Sequence, residues 1–111
     1  MKKDLDKGTW GDLLVIYGKL LTKVIYKRME AFYLDDLSYS EIANNERVSR
    51  TAIYDSIHEG EKSLLEFEEK LGLYKRLKLL RKLLKDYEDE KDEKSKEELF
   101  KKIKGEIEYG I

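Results

Sequence analysis

The chain has 111 residues, 42% of them charged and 41% hydrophobic, which suits one small domain with a heavily solvated exterior. Lys and Arg number 23 against 24 Asp and Glu, so no global field attracts a polyanion, and any nucleic-acid role needs a local patch. The absence of Cys excludes disulfides, zinc–thiolate sites and a cysteine nucleophile, and no apolar run is long enough for a membrane span.

The start, Met1-Lys2-Lys3-Asp4-Leu5-Asp6, lacks the apolar centre of a signal peptide, so a cytoplasmic location is expected. Proline is absent, and apolar residues recur at helical spacing from residue 10 onward. An all-α chain without strands is expected. A first helix is predicted from Thr9 to Leu20 or Leu21, with Trp10, Leu13, Leu14, Tyr17 and Leu21 on one face and Gly18 weakening its last turn. Thr22 can cap a second helix whose stripe is Ile25, Met29 and Phe32. Asp35 and Asp36 oppose a helix C-terminus and suit the loop beyond it.

Ser38 with Glu41 fits a capping box opening a short helix, about Tyr39 to Asn45, with Ile42 and Ala43 inward. Asn44-Asn45 favours a turn. Ser49 caps a long helix whose stripe is Ile53, Ile57, Gly60, Leu64, Phe67 and Leu71, and Gly72 is a suitable stop. Gly60 either admits another helix closely or marks a kink. Next comes a helix from about Tyr74 to Tyr87 with the stripe Leu73, Leu77, Leu80, Leu84 and Tyr87. The charged segment Glu88 to Lys94 reads as a linker or exposed turn. Ser95 with Glu98 offers another capping box, and Leu99, Phe100, Ile103 and Ile107 form the face of a final helix. Residues 1–72 read as a head and 73–111 as a helical arm, within the same unit or as a dimerisation element.

The informative segment is Ser38 to Ile57. A short helix holding the small Ala43, a turn, Val48, and a capped helix holding Ile53 and Ile57 make the helix-turn-helix pattern. The fold class is therefore a small helical bundle containing a helix-turn-helix, with a C-terminal arm. Ser49, Arg50, Thr51, Tyr54 and His58, with Asp55, would face a partner from the second helix. Where such turns usually hold an apolar residue and a glycine, this chain has Glu46 and Arg47. A left-handed non-glycine residue costs on the order of 1 kcal/mol, which suggests a longer or differently shaped turn. From Ser38 to Lys62 the acids Glu41, Glu46, Asp55, Glu59 and Glu61 outnumber Arg47, Arg50 and Lys62, which opposes phosphate binding.

Tyr33-Leu34-Asp35-Asp36-Leu37-Ser38-Tyr39-Ser40-Glu41-Ile42-Ala43, followed by Val48-Ser49-Arg50-Thr51-Ala52-Ile53-Tyr54-Asp55, resembles the YlxM family. These are small bacterial helix-turn-helix proteins associated with the signal recognition particle. The similarity continues through Glu61-Lys62 and Leu71-Gly72-Leu73-Tyr74. The first string is also shared in outline with the promoter-reading domain of sigma factors. The resemblance implies an all-helical fold and a regulatory role beside the particle's GTPase or its RNA. The turn and the charged extension after about Arg81 depart from the family pattern.

The strongest local charge lies in the arm. Lys75, Arg76, Lys78, Arg81, Lys82 and Lys85 face only Asp86 among the acids of residues 74–87. Lys75, Lys78, Lys82 and Lys85 share one helix face, suited to RNA phosphates, an acidic partner or an anionic surface, or simply to solvent. Among the tyrosines, Tyr54 and Tyr74 stand nearest to basic groups, as base stacking requires. His58, the one imidazole, has no visible catalytic companion, and Asp35-Asp36 makes a poor cation cage. No enzyme activity, cofactor, metal or small-molecule substrate is expected. The expectation is a binding and regulatory protein of the signal recognition particle pathway. The alternative is a DNA-binding transcription regulator. The many apolar stripes suggest a homodimer.

Overall fold

Helix formation begins at an aspartate. The computed structural model describes residues 5–110; Met1 to Asp4, most of the charged start, and Ile111 lie outside the described residues. The Asp6 carboxylate accepts a hydrogen bond from the Thr9 N–H at 2.7 Å, and that bond holds its pKa below the usual aspartate value. Helix α1 spans Lys7–Tyr17 and buries Trp10, Leu13, Leu14 and Tyr17. It stops sooner than predicted, because Gly18–Leu20 tightens into a 3-10 turn and leaves Leu21 outside the helix. Helix α2, Lys23–Tyr33, is capped by Thr22. Only Met29 of its stripe is fully buried, while Ile25 and Phe32 are half-buried.

The loop after α2 turns through Asp36, at φ 61°, whose carboxylate accepts from Lys7 Nζ at 2.8 Å. Both arms of the Ser38–Glu41 capping box form, and α3 spans Tyr39–Glu46. Asn44 and Asn45 thus belong to the helix and not to the turn. Arg47 takes the left-handed conformation, at φ 59°, and its N–H and that of Val48 return to the carbonyls of Asn44 and Ala43. Ser49 then caps α4, which spans Arg50–Leu71. The turn is therefore short and ordinary in shape, contrary to the expectation from Arg47. The returning N–H groups satisfy the helix-end carbonyls and offset the left-handed strain.

α4 packs on α1, α2 and α3. Ile53, Ile57 and Leu64 are completely buried. A Cβ at Gly60 would overlap Met29 Sδ and lie 2.8 Å from Ile25 Cγ2, so the glycine admits α2 closely. Leu71 is 56% exposed, so the stripe ends before it. Val48 is also exposed, leaving Ile42, Ala43, Ile53 and Ile57 to hold the corner. Gly72, at φ 63°, closes α4. Full burial of a leucine or isoleucine contributes about 1.5–3 kcal/mol. The buried face of α4 therefore fixes where its first turn points.

The second compact unit begins at Leu73. It holds α5, Leu73–Asp89, and α6, Glu93–Tyr109, packed as a helical hairpin. Asp92 accepts from the Ser95 N–H and hydroxyl and caps α6, so the expected Ser95–Glu98 box does not form. No described residue of this unit is fully buried. Leu77, Leu80, Leu83 and Tyr87 of α5 and Leu99 and Ile103 of α6 are half-buried. Leu73, Leu84, Phe100 and Ile107 are exposed, although the sequence placed them in the stripes. The α5 face is rotated toward Leu83 and Arg76. Arg76 donates to the Glu106 carbonyl at 3.2 Å.

Candidate nucleic-acid interface

Ser49 sets the candidate surface. Its hydroxyl accepts from the Ala52 N–H at 3.0 Å, which starts α4 with Arg50 and Thr51 exposed on its first turn. The corner is braced by Arg28 of α2. Its guanidinium spans both carboxylate oxygens of Glu46, at 2.8 to 3.2 Å, and donates to Ser56 Oγ at 2.6 Å. One half-buried side chain thus ties α2, the end of α3 and α4 together. A bidentate charged bond of this kind is among the stronger polar contacts available.

That brace changes the local charge. Glu46 is matched by Arg28, which lies outside the segment whose acids were counted. Glu41 accepts the Ser38 N–H, and Glu61 accepts the Tyr33 hydroxyl. Burial and the Glu61 carboxylate push the Tyr33 phenol far above its ordinary pKa, so it stays a donor. Asp55 and Glu59 are the exposed acids of α4 nearest this surface. The repulsion is weaker than the linear count indicates.

Tyr54 and His58 do not stand alone on the surface. Tyr54 meets Tyr39 edge-on at 5.7 Å, and the His58 ring lies 4.0 Å from the Tyr54 ring. His58 Nδ1 is 3.1 Å from the Tyr54 carbonyl oxygen. Tyr39 stacks on Phe32 at 4.6 Å, and the Arg50 guanidinium sits 5.6 Å from the Tyr39 ring centre. The structure therefore joins Arg50, Tyr54 and His58 into a ring-lined strip that includes Phe32 and Tyr39.

In the arm, Lys75, Lys78, Arg81, Lys82 and Lys85 are exposed on α5, whereas Arg76 is half-buried against α6. Lys78 Nζ lies 5.6 Å from the Tyr74 ring centre. Lys82 pairs with Asp86 at 3.0 Å and Lys85 with Asp89 at 3.5 Å. Such exposed pairs are worth about 0.3–0.5 kcal/mol and yield readily to a phosphate. Among the described residues no group of three or more His, Asp or Glu could hold a metal ion. Among the described residues no helix is long and apolar enough to cross a membrane.

The family model of the YlxM / p13-like helix-turn-helix proteins, UPF0122, matches residues 7–104. The chain belongs to this family. Its similarity to the UPF0122 protein of Malacoplasma penetrans is 41% identity over 87 residues, 78% of this chain and 81% of that one. To the Fusobacterium nucleatum UPF0122 protein it is 38% over 92 residues, 83% and 89% of the two chains. The Bacillus pumilus member is 45% identical over 73 residues, 66% of each chain. The UPF0122 match covers both the corner and most of the arm. Sequence reasoning missed Arg28 and Glu61, because their partners are distant in the chain and no local spacing signals them. It also missed the buried Glu68, which accepts the Tyr17 hydroxyl at 2.6 Å.

Proposed function

We propose that this protein is a non-catalytic regulator of the cytoplasmic signal recognition particle pathway that contacts the particle's RNA or its GTPase. The observation that carries the reading is the exposed line Lys75, Lys78, Lys82 and Lys85 on α5. Cations on successive turns suit the phosphates of an RNA helix, which is recognised mainly through shape and backbone. The surface around Ser49, Arg50 and Thr51 supplies a second contact. The YlxM resemblance supports the choice of pathway.

The protein acts as a homodimer through its arms. Exposed Leu73, Leu79, Leu84, Phe100 and Ile107 offer apolar area that one hairpin leaves in water. Asp86, Glu88, Asp89, Glu90, Asp92 and Glu93 make the hairpin tip acidic, while the body of α5 is basic. Sedimentation at about 100 µM should show a dimer, since a stable interface has a far lower Kd. A monomer there contradicts the pairing.

A pull-down from lysate, with and without nuclease, tests the partner. Retention of the particle's RNA or GTPase is expected, and recovery of genomic DNA alone overturns the reading. The second reading is a DNA-binding regulator with Arg50, Thr51 and Tyr54 in the major groove, favoured by the intact corner. In that case Arg50→Ala, and not the pair Lys78→Glu with Lys82→Glu, abolishes retention.

A further inference from the structure

The apolar residues of the arm gather on one side of its hairpin. At about 100° per residue, Leu73, Leu77, Leu80 and Leu84 fall within roughly 60° of one another around α5, and Phe100, Ile103 and Ile107 do so around α6. Each stripe lies roughly 70° past the face that its helix turns to the other, in the same rotational sense along the chain. Because the two helices run antiparallel, that shared sense brings both stripes to one side of the hairpin. Tyr87 and Phe100 mark the junction, with ring centres 6.4 Å apart. Beside them an open groove of about 570 Å³ is bounded by Tyr87, Glu93, Lys94, Lys96, Glu97 and Phe100.

Two helices cannot close this side by themselves. Leu73, Leu84, Phe100 and Ile107 keep 47% to 68% of their surface in water. With the half-buried members of the face, this leaves roughly 500 Å² of apolar area per copy, the apolar share that each partner of a standard homodimer interface gives up. The rim suits a second copy, because Arg81, Lys96 and Lys104 stand beside Glu88, Glu93 and Glu97 and neither sign is in excess. Two such faces complete a four-helix bundle. The line Lys75, Lys78, Lys82 and Lys85 is centred roughly 150° around α5 from the apolar stripe. Pairing therefore turns the two basic lines away from each other, on opposite sides of a bundle about 20 Å thick. We propose that two copies pair through this face and that each dimer joins two RNA duplexes, one on each outward basic line. The inference rests on the RNA reading for its ligand, and it goes beyond the pairing of arms by fixing the paired face and the stoichiometry.

The full chain is mixed with two A-form RNA duplexes of about 16 base pairs, one carrying a donor dye and the other an acceptor. The wild-type protein should sediment as a dimer and produce energy transfer that saturates at two duplexes per dimer. Phe100→Glu places a carboxylate from each copy in the apolar interface and should weaken dimerisation at least about a hundredfold. It should abolish the transfer while each monomer still binds one duplex. Ile107→Glu, two turns along the same stripe, should act alike, and unchanged helical circular dichroism separates lost pairing from unfolding. Leu79→Glu, on the opposite side of the hairpin, should keep the dimer and the transfer. Lys78→Glu with Lys82→Glu should weaken duplex binding and keep the dimer. A wild-type monomer at about 100 µM, pairing that survives both Phe100→Glu and Ile107→Glu, or transfer by a monomeric variant overturns the proposal. A dimer saturated by one duplex overturns the bridge alone, whereas a dimer that binds no duplex overturns the bridge together with the RNA reading.

Discussion

Head and arm are built from equally regular amphipathic helices, yet only the head has a buried interior. Around α4 three helices converge, and Leu13, Leu14, Met29, Ile53, Ile57 and Leu64 lose all or nearly all contact with water. The arm has two helices, and its best-covered leucines remain half-exposed. The difference shows that periodicity predicts which face turns inward, whereas the number of converging elements decides how far it is buried.

The sharpest way to break this contrast is a matched pair of truncations. Leu64→Ala in the head should destabilise by about 2–5 kcal/mol, while Leu84→Ala, half-exposed in the arm, should cost within about 0.5 kcal/mol. Urea midpoints compare the two, and equal losses refute the contrast. Arg28→Ala should cost about 1.5–3 kcal/mol, because Glu46 and Ser56 both lose a donor. A double-mutant cycle with Glu46→Ala should recover most of that as coupling. Arg47→Gly should stabilise the head by up to about 1 kcal/mol by relieving the left-handed backbone. An unchanged thermal midpoint counts against that strain.

The pH dependence separates the units at its alkaline end only, because the caps Asp6 of the head and Asp92 of the arm both have lowered pKa values. Folding raises the pKa of Tyr33, and less strongly that of Tyr39, above the phenol value of 10.0. Their contribution is complete below that value and is lost as pH rises beyond it toward the folded pKa. The head should therefore weaken above about pH 10, and Tyr33→Phe should reduce the effect. The cap Asp92 has a lowered pKa, so the arm's share is present above the ordinary 3.8 and lost as pH falls below it. Circular dichroism across both limits checks these signs.

Local patterns made much of the fold legible. The Ser38, Ser49 and Thr22 caps, the Ala43 corner and the Gly72 stop all depend on neighbours within a few residues, and each stands where its spacing put it. The end of α1, the cap of α6 and the faces of the arm did not follow from spacing. Each is settled by competition: Gly18 with a 3-10 turn, Asp92 with Ser95, Leu83 with Leu84. At the candidate interface the sequence showed the exposed positions Arg50 and Thr51. It did not show that Phe32 and Tyr39 would join Tyr54 and His58, because those contacts exist only after α2 and α3 meet α4.

The proposed role depends on phosphate contact by the basic line of α5, and salt-titrated binding to the particle's RNA tests it most directly. The account predicts that log affinity falls linearly with log salt, and that Lys78→Glu with Lys82→Glu lowers the slope by about two, one per lysine. A slope unchanged by the double reversal, or affinity indifferent to salt, would contradict it.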